Sequence, residues 1–462
     1  MGSFSDQRGL ELTAESIVAV EAFDRTIAHF LGLKSDAGEC LKLVFEADGE
    51  MPMAHCLKGY FMKLLCSAPF ETKARESSMA ANAFSAKYSV TEREQAHIDA
   101  LAAWTRGDLT GARDRWESIL ISFPLDVLAL RLSHFIHFYL GDASGLRDSI
   151  ARVYPCWGKD TPGYGFVTGY YAFGHEECGT YGRAEALGRV AVEINPADIW
   201  STHAVAHVME MNGRHEEGIV WLEEHSSNWG DCNNFAYHAW WHLALFHLER
   251  GQTERGLELY DTRIRAKQTD DYLDMANAVS LLWRLEEGGI DVGGRWDELG
   301  EKAEQKMNDR IFAFHDAHYL MAMSYGGKAS EANDMLQAIG EGGAPGIEGA
   351  VYEALGYPLC SAIKAYSVGD YDAAVDRLYP VRRELFRIGG SHAQRDLFAR
   401  LMVSAGLKAG RFALVRALLA ERLGQNPAST WSWSRLRDAF IGLDDRSGAE
   451  HADDRYRQLL AS

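Results

Sequence analysis

The sequence has no Cys-x-x-Cys pair, and its seven cysteines (40, 56, 66, 156, 178, 232 and 360) are scattered and odd in number. That excludes the disulfide framework of a small secreted domain and fits a reducing, cytoplasmic setting. No apolar run approaches the roughly 18 residues that a membrane span needs. The start, Met-Gly-Ser-Phe-Ser-Asp-Gln-Arg, lacks a signal peptide's apolar core and is expected to lead into an acidic amphipathic helix. Basic residues are in short supply, with 47 Lys and Arg against 66 Asp and Glu, a net charge of −19. Such a chain lacks the cation excess that displaces counterions from nucleic acid or draws a protein to an anionic membrane. The expected partners therefore include neither. There are only ten prolines, and no sustained alternation of apolar and polar residues reads as strand. A Gly-x-Ser-x-Gly elbow, a phosphate loop and a dinucleotide fingerprint are all missing, which leaves those enzyme classes without support.

What is present is a repeat. Of 462 residues, 47% are hydrophobic and 24% charged, with a helix-favouring content of Leu, Ala and Glu. Gly107, Gly179, Gly369 and Gly410 are each followed five positions on by a small or apolar residue: Ala112, Ala184, Ala374 and Val415. Three of them are followed seventeen positions on by Pro124, Pro196 or Pro427. Adding Gly141, Gly213 and Gly251 gives successive steps of 34, 38, 34 and 38 residues from Gly107. A period near 34 with this turn is that of the tetratricopeptide repeat, two antiparallel helices joined by a tight turn. The glycine ends the first helix (helix A) in a left-handed backbone, and the proline closes the repeat after the second (helix B). Ala172, Ala206 and Ala244, each seven before its glycine, fall where helices cross closely. The expected fold is all-α: a tetratricopeptide-repeat-like α-solenoid, a right-handed superhelix of about eight to twelve helical hairpins. Residues 1–90 are expected to form N-terminal hairpins, 91–260 repeats carrying a His/Glu cluster, 261–350 degenerate repeats, and 351–462 C-terminal repeats. Glu287–Gly294 reads as a loop interrupting a degenerate unit, and Ile339–Gly346 as a flexible crossing.

Several segments go beyond repeat consensus: Tyr171-Ala-Phe-Gly-His-Glu-Glu177, His203-Ala-Val-Ala-His207-Val-Met-Glu210-Met, His238-Ala-Trp-Trp-His242-Leu-Ala-Leu, Ser280-Leu-Leu-Trp-Arg-Leu285 and Gly389-Gly-Ser-His-Ala-Gln-Arg-Asp-Leu-Phe398. In these the chain resembles the tetratricopeptide repeat protein 38 family, from about Ala54 to nearly residue 400. The resemblance implies a cytosolic helical repeat protein and brings no settled activity. His175 departs from it, standing where an aliphatic residue is expected.

With the turn glycine counted as position 15 of a repeat, His203, His207 and Glu210 fall at positions 5, 9 and 12, on the concave side. Spacings of four and three put them on one helical stripe. Glu176 and Glu177 precede them on the neighbouring helix A; His238 and Trp241 follow on the next, with His242 leaning toward a neighbouring helix. Each histidine alone reads as a hydrogen-bonded core residue. Together they are costly to bury unless they serve one another or a ligand. Two chemistries stay open. His203, His207 and Glu210 are candidate ligands of a divalent metal (Zn, Mn or Fe), although Ala204 stands where a zinc-peptidase motif has glutamate. Alternatively, His203, His207, His238, Glu177 and Glu210 form a metal-free acid–base set with Trp241 as an apolar wall.

His242, Glu176, His175, Asn277, Gln394 and Asp396 complete the candidate ligand-binding set, with Asp274 beside Asn277. Ser391 reads equally well as an ordinary helix N-cap. His315-Asp316-Ala-His318 reads as solvated helix surface, and a catalytic pairing of Cys232 is a minor alternative. The first functional expectation is a small-molecule enzyme, a hydrolase or lyase acting on a polar metabolite, with self-association left open. The alternative is a non-catalytic scaffold holding a peptide or protein segment. Peptide-binding repeats line their groove with Lys, Arg and Asn, and few inward cations are expected here.

Overall fold

The computed structural model describes residues 1–342 and 347–461. It opens on a structure that the sequence reading did not anticipate. Gly2–Ser5 and Glu11–Ala14 pair as a two-stranded antiparallel hairpin, with Phe4 opposite Leu12. Its turn is made by Asp6, whose Oδ1 accepts from Arg8 N and Leu10 N at 2.8 Å each, and by Gly9 at φ 78°. A short loop with a side-chain-bonded Asp and a left-handed Gly is a sufficient hairpin signal even where the strands are too short to show alternation. Thr13 then ties the second strand inward, giving its N–H and hydroxyl to Glu94 at 2.8 Å each. The first helix starts only at Ile17.

The rest of the chain is helical, and the repeat grammar explains how. Gly107, Gly141, Gly179, Gly213, Gly251, Gly289, Gly327, Gly369 and Gly410 all adopt φ between 66° and 87°, the left-handed region that ends a helix without a Cβ penalty. Asp108, Asp142 and Asp370 directly follow three of these glycines. Their carboxylates cap the next helix, accepting from Gly111, Gly145 and Ala373 N at 2.8, 2.9 and 3.1 Å. The helices Leu109–Ser122, Tyr181–Ile194 and Phe412–Gln425 stop just before Pro124, Pro196 and Pro427. Gly289 and Gly327 correct the sequence reading of 261–350. Instead of an interrupted, degenerate stretch, two regular hairpins stand there, Tyr272–Glu287 with Arg295–Lys306 and Ala313–Tyr325 with Ala329–Gly340. The loop expected at Glu287–Gly294 is present as residues 288–294, and it joins the two helices of one hairpin. The expected crossing at Gly343–Gly346 lies outside the described residues, while Ile339 and Gly340 end a helix. In the last hairpin the left-handed turn residue is Asp444, at φ 56°.

The chain forms two compact units, one mainly of residues 1–205 and 227–236, the other mainly of 206–226, 237–342 and 348–461. Trp116, Tyr60, Tyr170 and Phe173 fill the first core; Trp241, Trp283, Phe246, Phe398 and Tyr352 fill the second. Ala172, Ala206 and Ala244 are fully buried, as their place before the turn glycines requires. Among the described residues no helix is long and apolar enough to cross a membrane.

Close helix approach is tightest at Gly174 in the first unit. A Cβ there would stand 2.8 Å from Arg147 Cα and 3.1 Å from Leu146 O, both backbone atoms that cannot swing aside. Gly174→Ala should therefore lower stability by about 1–3 kcal/mol, the usual cost of overpacking. Denaturant unfolding reads this directly, and an unchanged midpoint would refute the close approach.

Candidate functional site

The helices Ile199–Met211 and Phe235–Glu249 carry the two His-x-x-x-His stretches. The boundary between the units passes along both, leaving His203 in the first unit and His207, Glu210, His238 and His242 in the second. Within the second unit His242 is the hub. Its Nδ1 lies 2.9 Å from Glu210 Oε2, and its Nε2 lies 3.3 Å from His238 Nε2. On its other side, His238 Nδ1 stands 2.8 Å from Asn277 Oδ1 on the Tyr272–Glu287 helix. An amide oxygen only accepts, so His238 holds its proton on Nδ1. The ring centroid of His207 is 4.4 Å from that of His242, and Trp241 lies almost parallel to His238 at 5.2 Å.

Burial dominates the electrostatics of this group. It holds His207 and His238 well below an ordinary imidazole, and it brings His242 to about 3 with help from the Arg284 charge. Burial and then the Asp396 charge push Glu210 up to about 7. The site thus holds three neutral imidazoles beside a carboxyl that is half ionised near neutrality. His203, one turn before His207 on the same helix, packs in the first unit among Phe173, Trp200 and Phe235, with centroids at 5.7, 5.6 and 5.0 Å. Glu176 and Glu177 are also in the first unit, buried at the end of the Tyr164–Glu177 helix.

The second unit also contains a cavity of about 450 Å³ that sequence reasoning missed. Six arginines line it (Arg284, Arg382, Arg383, Arg395, Arg400 and Arg422), against the carboxylates Glu210, Glu249 and Asp396. The expectation of few inward cations is therefore wrong for this unit. Asp396 sits at the centre of the charge. It accepts from Arg400 Nε at 2.6 Å and Arg422 Nη1 at 2.7 Å, with Arg284 Nη2 at 3.9 Å. Burial opposes its ionisation, but the three guanidinium groups outweigh that and hold it well below the usual carboxylate range. Arg400 also bonds Glu249 at 2.6 Å. Phe386, Leu385, Phe398 and Met402 supply apolar lining. Asp396 and Arg400, four apart on one helix, were a visible sequence signal. Arg284, Arg382 and Arg422 come from three other segments, and their convergence was not visible. Gln394 is committed elsewhere: it closes a capping box with Ser391, accepting from Ser391 N at 2.8 Å.

Other candidates turn out to be structural. His175 Nδ1 bonds Thr180 Oγ1 at 2.7 Å across the Gly179 turn. His137 with Asp142 (2.9 Å) and His247 with Gln252 (2.6 Å) repeat this arrangement across Gly141 and Gly251. A histidine four before the turn glycine thus clips the first residue after it, which explains His175 where an aliphatic residue was expected. His315, Asp316 and His318 are buried, not solvated. Asp316 accepts from Tyr352 Oη at 2.7 Å, and His318 Nδ1 donates to Phe314 O at 2.7 Å. Asp274 accepts from the Thr269 hydroxyl. Burial raises the Cys232 thiol to about 11, the opposite of an activated nucleophile.

No family model matches the chain. Among solved structures the fold is similar to the human IFIT1 dimer with m7Gppp-AAAA, at 13% identity over 98% of this chain and 96% of that one, with a TM-score of 0.41. It is also similar to the P58(IPK) TPR domain (11% identity, 80% and 93% covered, TM-score 0.22). A third match is Naa15/Naa10 bound to HypK-THB (11% identity, 94% and 67% covered, TM-score 0.25). The chain is a helical solenoid of tetratricopeptide-repeat type. The sequence expectation of a small-molecule partner and no nucleic acid is not carried further: among these similar structures IFIT1 holds m7Gppp-AAAA and Naa15/Naa10 holds HypK-THB.

The buried histidines make stability depend on pH. His134, His207, His238, His242, His315 and His318 are all depressed by burial below the unfolded value near 6.5. As pH falls through 6.5 the unfolded chain takes up these protons first, so stability present above that pH is lost below it. Glu210 and Asp316, both near 7, and Asp198, near 6, act with the opposite sign. Their folded values are raised by burial, and their contribution is lost as pH rises toward 7. Six groups outweigh three, so urea unfolding should show lower stability at pH 5.5 than at pH 7.5. The reverse order would mean that the histidines are not held neutral.

Proposed function

We propose that the chain is a non-catalytic binding protein whose second unit holds an acidic peptide or protein segment in the arginine-lined cavity. The observation that carries this is the concentration of six guanidinium groups around one cavity in a chain of net charge −19. Arginine's planar fork matches carboxylates two bonds at a time, and it is more weakly hydrated than lysine, so less is lost on desolvation.

The arginines divide into two sets. Arg400 and Arg422 are braced by Asp396, which fixes the cavity wall. Arg382 and Arg383, in the segment after Tyr371–Leu378, face Glu421 at 4.0 and 3.5 Å, and Arg382 also donates to Tyr379 O at 3.0 Å and lies over the Tyr379 ring. These loosely paired cations are the ones positioned to engage an incoming carboxylate. Phe386, 45% exposed, and Leu385 beside them favour a segment that alternates acidic and apolar side chains. We assign no reaction to the chain. The likeness of its motifs to the tetratricopeptide repeat protein 38 family and the cytoplasmic setting are part of the same reading. Both agree with seven cysteines of which, among the described residues, none forms a disulfide.

The test is fluorescence anisotropy with a labelled peptide rich in Asp, Glu and Phe, a Lys-substituted control, and a 5′-triphosphate RNA oligonucleotide. The acidic peptide should bind and the Lys control should not. Arg382→Ala with Arg383→Ala should weaken binding about tenfold or more, on the order of 1.4 kcal/mol. Added salt should weaken it further. Binding of the RNA and not the peptide would replace this reading with a nucleic-acid one, and binding of neither would overturn it.

A further inference from the structure

From the geometry of the second unit we infer a divalent-metal site, best suited to zinc, whose ligands are His207, His238 and His242. It does not depend on the cavity reading. The sequence pointed to a different set, His203, His207 and Glu210; here Glu210 stands behind a ligand and is not one itself.

The argument rests on where the imidazole lone pairs point. His238 Nδ1 faces Asn277 Oδ1, which only accepts, so the proton is on Nδ1 and Nε2 is the nitrogen turned toward His242. His242 Nδ1 faces the Glu210 carboxylate at 2.9 Å. A metal on Nε2 would leave the ring proton on Nδ1, directed at Glu210. The two Nε2 atoms face each other at 3.3 Å.

The separation also has the right size. Two nitrogens each about 2.0–2.1 Å from a tetrahedral zinc stand roughly 3.3–3.4 Å apart. The third ligand comes from His207, which has a ring nitrogen within 4.8 Å of the ligating atoms of both partners. All three side chains are buried, at 0 to 3% exposure. Imidazoles behind a dry wall suit zinc among the abundant divalent ions; calcium and magnesium want oxygen donors.

The supporting partners are those of a metal site. A ligating histidine that donates its other N–H to a carboxylate, as His242 does to Glu210, or to a carbonyl, as His238 does to Asn277, is fixed in tautomer and orientation. Trp241, parallel to His238, holds that ring from its face. Arg284 is the nearby cation that would oppose binding. It donates to Ala393 O at 3.2 Å and lies toward Asp396 at 3.9 Å, which turns its charge away.

The experiment uses the full chain, stripped with a chelator, dialysed, and titrated with zinc alone against a chromophoric competitor. Cobalt(II) is then added to a second sample. One zinc per chain should bind, and cobalt should give the intense visible absorption of a tetrahedral nitrogen site. His242→Gln and His238→Gln should each weaken zinc binding at least 100-fold. Glu210→Gln should weaken it about 10- to 100-fold, as loss of an orienting partner does. If a histidine variant fails to fold, the wild-type stoichiometry and cobalt spectrum still decide. No stoichiometric zinc in the wild-type chain, or zinc binding unchanged in both histidine variants, overturns the site.

Discussion

Everything in this fold depends on one backbone constraint, the left-handed turn at the glycine that ends each helix A. An L-residue with a Cβ pays steric energy there; glycine does not. Once the turn is set, the spacing of every other feature follows. The next residue is free to cap helix B, as Asp108, Asp142 and Asp370 do. The alanine seven before lies at the helix crossing, and a histidine four before can reach back over the turn. That His137, His175 and His247 make the same bond across three different turns shows the constraint acting on side chains as well as backbone.

A second layer of order comes from paying the cost of buried polarity. Tightly packed helices leave little water to solvate a titratable group, so each must find a partner or stay neutral. The first unit shows one solution in Asp126, which takes bonds from Arg93 Nη1 and His97 Nε2 at 2.7 and 3.0 Å. The second unit shows another, where Glu210, His242, His238 and Asn277 form a chain with each link bonded to the next. Such chains fix ring orientation to within a rotamer, which loose surface histidines never achieve. The same rigidity that makes these residues good core also makes them good ligands.

Much of the architecture was legible in the sequence because glycine and proline act locally. Periods of 34 and 38 residues need no tertiary information to be read. The misses have physical causes of two kinds. Where a seven-residue loop stretches the turn after Gly289, the repeat spacing is lost and two hairpins read as degenerate helical repeats. Where strands were only four residues long, the hairpin was carried by Asp6 and Gly9 alone, below any periodicity test. For the site, helix position singled out His203, His207 and His238 as candidates, but it could not say which partners meet. His242, assigned a lesser role, proved to be the hub, because its neighbours come from three helices that only folding brings together.

Charge shows most clearly the limit of a composition argument. A net charge of −19 is a sum over the whole chain, and it is silent on where opposite charges gather. Arg284 and Arg422 lie far from the others in sequence, and the stretch from Arg377 to Arg400 is locally basic, with six arginines against Glu384 and Asp396, a feature that the whole-chain charge hides. Folding brings Arg284, Arg400 and Arg422 around Asp396, which neutralises part of their charge and so stabilises their crowding. Without that carboxylate the guanidinium groups would repel one another and the wall would open. With it they form a rigid positive surface inside an acidic protein. An anionic segment repelled by the exterior at long range would find its attraction only on entering the cavity. Selectivity then rests on reach and shape more than on net charge.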